Sequence, residues 1–230
     1  MRTHSQSKGR TINCSQSDTR DCLYENKGED YFSSSRKSIV DLVPPNKANK
    51  VLDIGCGTGA VLKEVKKTGK ASEIVGVDIN SLEGTHELDK FILGNIEEIE
   101  LPYPQNYFDI IICADVLEHL RDPWNTLKKL VSYMKPDGLL IASFPNVREG
   151  KMLWKIAFKG DFKYEERGIL DKTHLRFFCK KNIIDLMTVN KLGITGIYPA
   201  MGTKRAILNK ALFGLMEEFF AIQYIVVARK

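Results

Sequence analysis

Short apolar runs that close on a glycine or an acid alternate along this chain with segments whose apolar positions fall three and four residues apart. The first kind reads as buried strands and the second as helices packed by one face. Ile39, Leu42 and Val43 predict a helix that Pro44-Pro45 stops. Val51-Leu52-Asp53-Ile54 predicts a strand, and Ala60 to Thr68 a helix ending at Gly69. Glu73 to Asp78 is a second strand. The link to Lys90 has room only for a stunted helix. Phe91 opens a third strand with an exit turn at Glu97, followed by an extended loop at Leu101–Pro104. The unbroken run from Phe108 to Ala114 fits a strand buried on both faces, as in a parallel sheet. Asp122-Pro123 starts a helix carrying Leu127, Leu130 and Val131, with proline just inside the cap. After a Lys135-Pro136-Asp137-Gly138 turn comes a fifth strand to Asn146. Further on, the pattern predicts a helix entered at Lys180, a strand over 193–200, a helix over 205–217 and an edge-type strand over 220–228.

Composition narrows the class. Of 230 residues, 43% are hydrophobic and 27% charged, as in an ordinary globular domain. No apolar run approaches the roughly 20 residues of a membrane helix, and no secretory signal is expected. Cys14, Cys22, Cys56, Cys113 and Cys179 form no C-x-x-C, which points to reduced cytoplasmic thiols, not to a disulfide frame or a zinc site. A net charge of +5 does not imply nucleic acid. Residues 1–28 are polar and aperiodic, so a disordered or loosely attached segment is expected before a single domain over 29–230.

Gly55-Cys56-Gly57-Thr58-Gly59 links the first strand to its helix. Such a turn offers bare backbone N–H groups and a helix N-terminus to a small ligand. Gly55-x-Gly57-x-x-Ala60 satisfies the relaxed dinucleotide fingerprint. Asp53 at the strand end and the additional Gly59 argue for a different ligand. Asp53-x-Gly55-x-Gly57-x-Gly59 resembles the first motif of class I S-adenosylmethionine-dependent methyltransferases. The resemblance implies that Asp53 helps to bind the ligand's ammonium, with Gly55, Cys56, Gly57 and Gly59 around it. Asp78, closing the second strand, is placed to accept hydrogen bonds from both ribose hydroxyls, and Ile79 then runs along the adenine. Relatives carry an acid where Asn95 stands beside Ile96, and an amide also serves the adenine edge. Tyr31 and Arg36 precede the first strand, as do residues that cover the cofactor in relatives. Arg36 either binds the methionine carboxylate or is a solvated helix-start residue.

The fourth strand opens into Ala114-Asp115-Val116-Leu117-Glu118-His119. Its carboxyl end is where open α/β sheets bind ligands. In methyltransferases this loop delivers cofactor contacts, here Ala114 and Asp115, and substrate-side residues, here Glu118 and His119. His119 is either a general base or, with Glu118, a holder of the next turn. For a metal, the Glu-His pair brings too few ligands. From 148 to 181, ten lysines and arginines face five acids, with Trp154, Phe158, Phe162 and Tyr164 interleaved. This segment reads as a substrate lid over 147–180, suited to an anionic or glycosylated acceptor. Leu170 to Phe178, LDKTHLRFF, resembles a signature of a methyltransferase branch tied to glycan and secondary-metabolite pathways. There Asp171, His174 and Arg176 are expected to share one face of an extended strand. One histidine, preferably His174, is expected to be the general base of an O-methylation; a backbone-bonded loop histidine is the other reading.

The resemblance implies a Rossmann-like α/β fold: a seven-stranded sheet, helices on both faces, the last strand antiparallel and the lid inserted after the fifth. It also implies a small-molecule acceptor and a monomer or homodimer, with no nucleic acid and no membrane. Two rivals stand beside it, an NAD(P)-dependent oxidoreductase and a non-catalytic S-adenosylmethionine-binding module.

Overall fold

The computed structural model describes residues 37–230. Tyr31, Arg36 and the expectations for residues 1–28 lie outside the described residues. Seven strands form one sheet in the order β3-β2-β1-β4-β5-β7-β6. They are β1 (Lys50–Ile54), β2 (Glu73–Asp78), β3 (Lys90–Leu93), β4 (Phe108–Ala114), β5 (Met134–Pro145), β6 (Gly193–Ala200) and β7 (Gln223–Arg229). β1 to β5 pair in parallel, and β7 runs antiparallel to both β5 and β6. The helices are α1 (Lys37–Leu42), α2 (Ala60–Lys67), α3 (Pro123–Tyr133), α4 (Gly150–Lys159), α5 (Lys180–Val189), α6 (Thr203–Ala211) and α7 (Glu217–Phe220). Single 3-10 turns stand at Thr85–Glu87, in the short link foreseen, and at Leu117–His119.

Alternation along each strand divides the core into two layers. Leu52, Ile54, Val75 and Ile111 face Leu127, Leu130, Ile183 and Leu186 of α3 and α5. Val51, Ile74, Ile110 and Ile112 face Ile39, Val40, Leu62 and Val65 of α1 and α2. β4 is central and its residues Ile110–Cys113 are buried on both sides, which is why the sequence there is apolar without a break.

Three expectations need correction. The last strand is not an edge: β7 lies between β5 and β6, and β6 is the edge. The continuous burial of Tyr224–Ala228 is the physical reason. The helix over 205–217 is broken. α6 ends at Ala211, Phe213 and Gly214 adopt left-handed backbone (φ 52° and 82°), and a separate turn follows as α7. The strand proposed for 171–176 is a turn, closed by His174 N–H donating to the Asp171 carbonyl at 3.0 Å.

Order of strands places the carboxyl ends of β1 and β4 side by side where the sheet reverses direction of winding, the usual crevice for a ligand. Just beyond β5, Asn146 is fully buried. Its amide donates to the carbonyls of Glu218 and Ala221 at 2.7 and 2.8 Å, and its oxygen accepts from Arg148 N–H at 3.1 Å. Asn146→Ala would strand those carbonyls, so urea unfolding should show a loss of about 2–4 kcal/mol.

Candidate active site

The glycine turn is tied to β2. Gly55 and Cys56 N–H donate to the Val77 carbonyl, at 2.8 and 3.2 Å. Gly57 N–H donates to Asp78 Oδ2 at 2.8 Å, while Asp78 Oδ1 accepts from Asn80 N–H at 2.9 Å. Gly55 and Gly57 have φ of 67° and 56°, a region costly for other residues. A Cβ on Gly55 would also fall 2.6 Å from Val116 Cγ2. One buried carboxylate therefore sets the turn. Burial lifts the Asp78 carboxyl above its usual range, against the backbone hydrogen bonds that lower it.

Asp53 is buried at the middle of β1's exit, level with Gly76 and Ile112. Burial first, then the charge of Asp53, pushes the Cys56 and Cys113 thiols far up, so both remain protonated. Ile79 is half-buried beside Asp78. The Asn95 side chain closes its own turn, accepting from Glu97 N–H at 3.0 Å and donating to Glu98. Ile96 is buried, and its carbonyl accepts from Lys129 Nζ. Beyond Ala114, Asp115 has φ 55°, a strained value for a non-glycine at the end of the central strand. Ser143 Oγ donates to Asp115 Oδ1 at 2.5 Å, and so does the Gln223 amide, so β5 and β7 both hold this residue.

The second part of the site comes from segments far apart in sequence. The turn over Leu117–His119 is stapled to the 171–176 turn: Leu175 and Arg176 N–H both donate to the Glu118 carbonyl at 2.9 Å. Asp171 Oδ1 accepts from Thr173 N–H and Oγ at 2.8 and 2.6 Å. The Thr173 carbonyl in turn lies 3.1 Å from His119 Nδ1, and the Ile169 carbonyl 2.9 Å from His174 Nδ1. A carbonyl only accepts, so each histidine carries a proton on Nδ1. The two rings stand with centroids 4.7 Å apart. Ligand atoms of Glu118, His119 and His174 all lie within 4.8 Å of one another, with Glu118 and His174 buried.

One expected member points elsewhere. Arg176 is exposed. Its guanidinium donates to the Arg121 carbonyl and lies 5.8 Å from the Trp124 ring, because the 171–174 turn breaks the two-residue alternation. The Asp171 carboxylate binds Thr173, whose carbonyl in turn meets His119. Trp154 is half-exposed on α4, with Lys159 Nζ 5.0 Å from its ring centroid.

Much of the positive charge of 148–181 is matched by acids. Lys155 pairs with Glu165 at 2.8 Å, Lys180 with Glu217 at 2.7 Å, and Lys172 with Glu166. An open cavity of about 720 Å³ has a lining that includes Glu149, Lys151, Ile169, Thr203, Lys204 and Arg205. Arg205 donates to Glu149 at 2.7 Å. Ile169 joins the two halves, since its carbonyl also holds His174. Sequence reasoning missed Ser143, Thr173, Lys204, Arg205 and Gln223. Lys204-Arg205, two residues after Gly202, was the one local signal; the rest depends on tertiary contacts.

Comparison with known proteins bears on this geometry. The sequence profile described as "Methyltransferase domain" matches residues 28–190. Ubiquinone biosynthesis O-methyltransferase of Yersinia enterocolitica is 28% identical over 121 residues, 48% of each chain. The protein of that name from Klebsiella pneumoniae subsp. pneumoniae is 31% identical over 164 residues, 65% of each. The chain thus spans about half to two thirds of the length of these curated relatives. A SAM-dependent methyltransferase from Archaeoglobus fulgidus superposes with a TM-score of 0.61 at 22% identity, over 88% of this chain and 97% of that one. No helix among the described residues is long and apolar enough to cross a membrane.

Proposed function

Since the chain belongs to the class I S-adenosylmethionine-dependent methyltransferase family and takes S-adenosylmethionine as its cofactor, we propose that it methylates a hydroxyl oxygen of a small anionic molecule. The meeting of Glu118, His119 and His174 at the sheet's ligand-binding edge carries this reading. The profile match removes the dinucleotide alternative that Gly-x-Gly-x-x-Ala left open.

The described residues suit the cofactor. The Asp78 carboxylate already accepts two N–H groups and has lone pairs left for a ribose diol. The positive-φ glycines keep side chains out of the turn. Asp53, Cys56, Ile79, Asn95, Ile96, Ala114 and Asp115 line the same edge or its support. When bound, the cofactor supplies an electrophilic methyl group on a sulfonium sulfur. The protein's own work is orientation, exclusion of water and removal of the hydroxyl proton. Glu118, His119 and His174 receive that hydroxyl. Segment 147–180 is the lid that brings His174 over the site. The names of the relatives support oxygen as the methylated atom.

The acceptor's anionic part belongs in the cavity lined by Lys151, Lys204 and Arg205, at the N-terminal end of α6. Lys151→Glu combined with Lys204→Glu should raise the acceptor KM at least tenfold and leave cofactor affinity within twofold, about 1.4 kcal/mol of acceptor binding. Steady-state kinetics beside calorimetry with the cofactor check this. Equal loss of both affinities would point to misfolding instead. Lys155 is a poor target, because Asp161 and Glu165 already surround it.

A further inference from the structure

A carboxylate and two imidazoles from separate segments meet where the acceptor hydroxyl is expected. We propose that Glu118, His119 and His174 form a binding site for one divalent transition-metal ion of the Zn²⁺, Mn²⁺ or Co²⁺ class, whose open positions take oxygen atoms of the acceptor. The inference rests on the acceptor placement proposed above.

Four observations carry it. The donor set of two imidazoles and one carboxylate suits these ions and leaves coordination positions open. The ligand atoms are within 4.8 Å of one another, and cis ligands on such an ion stand on the order of 3 Å apart, so modest side-chain adjustment closes the set. Each imidazole is held in the tautomer a metal requires, by an Nδ1–H to carbonyl bond, from His119 to Thr173 and from His174 to Ile169. That outer layer is itself braced. Asp171 fixes Thr173 through its N–H and hydroxyl, and the Glu118 carbonyl receives two N–H groups from Leu175 and Arg176. A loop histidine that served only to hold its turn would not need a partner imidazole oriented in the same way.

The chemistry fits the reaction class. A divalent ion on the acceptor oxygen lowers the hydroxyl's proton affinity and fixes its direction, with the proton leaving to solvent. Two neighbouring oxygens on the acceptor would bind better than one, so the site favours vicinal diols, catechols or hydroxy acids.

The protein treated with chelator and dialysed should be titrated with Co²⁺ and Mn²⁺, following cobalt d–d absorption and manganese electron paramagnetic resonance. One equivalent is expected to bind. Thiolate-to-cobalt charge transfer should be absent, which excludes the cysteines. His174→Asn, which keeps a donor for the Ile169 carbonyl, and Glu118→Gln should each weaken binding by roughly a hundredfold or more, since even outer-layer changes cost 10–100-fold. Calorimetry with S-adenosylmethionine should be unchanged in both variants, showing that they fold. Absence of stoichiometric binding, or binding that both variants retain, overturns the site. If metal is absent but methylation proceeds and His174→Asn abolishes it, the metal inference fails and the proposed function stands. If one metal binds as described and no hydroxylated acceptor is methylated, the proposed function is what fails.

Discussion

Asp78→Asn is expected to weaken S-adenosylmethionine binding by tenfold or more while lowering the melting temperature only slightly, because relief of the buried charge offsets much of the lost Gly57 or Asn80 hydrogen bond. The carboxylate binds Gly57 and Asn80 N–H groups and is assigned the ribose diol. An amide has one oxygen and two N–H donors, so it cannot accept on both sides. Losing one or two ligand hydrogen bonds of about 1 kcal/mol each, more for a charged acceptor, gives that tenfold or greater change. Stability moves differently. Burial raises the Asp78 pKa, so the charged form costs stability above that raised value, and the cost is relieved as pH falls through it. Asparagine carries no charge and so avoids the cost at neutral pH. In the parent protein, cofactor affinity should fall as pH drops through the same raised value, because the protonated carboxyl loses acceptor capacity. Calorimetry for affinity and thermal unfolding for stability separate the two effects. A large fall in melting temperature with Asp78→Asn would mean that the carboxylate mainly holds the glycine turn.

His174→Asn should reduce single-turnover methylation at saturating substrates by roughly 10²- to 10⁴-fold, the loss expected whether His174 takes the reacting proton itself or helps to hold the ion that acidifies the hydroxyl. Asparagine can still donate to the Ile169 carbonyl, as His174 Nδ1 does at 2.9 Å, so the loop should keep its path. What is lost is the imidazole that stands with Glu118 and His119. Cofactor affinity should not change. A variant with a near-normal rate would leave His174 as a structural residue and move the acceptor elsewhere along the sheet edge.

Much of the fold was legible. Runs such as Ile110–Cys113 are apolar because β4 is covered on both faces, and the glycine turn is marked by its spacing. The tie between the glycine turn and the end of β2 was legible for the same reason, since Gly55, Gly57 and Asp78 are set by local strand-to-turn geometry. The acceptor side was not. His119 and His174 stand 4.7 Å apart only because the 171–176 turn docks on the Glu118 carbonyl, a pairing that no local pattern encodes. Arg176 was misplaced because alternation applies to strands, and a turn hydrogen bond at His174 resets which side each residue faces. The position of β7 inside the sheet follows from topology, although the unbroken burial of Tyr224–Ala228 is the local trace of it. Charge counting along 148–181 overstated the basic surface, because Lys155, Lys172 and Lys180 have acidic partners in space.

The most direct test is to incubate the protein with methyl-labelled S-adenosylmethionine and a panel of small hydroxylated acids, phosphates and glycosides, and to locate the label by mass spectrometry and carbon NMR. The account predicts label on oxygen as an ether, with anionic acceptors preferred and the preference lost in the Lys151→Glu, Lys204→Glu variant. Cofactor binding with no transfer to any hydroxyl, or transfer to nitrogen, sulfur or carbon alone, would contradict it.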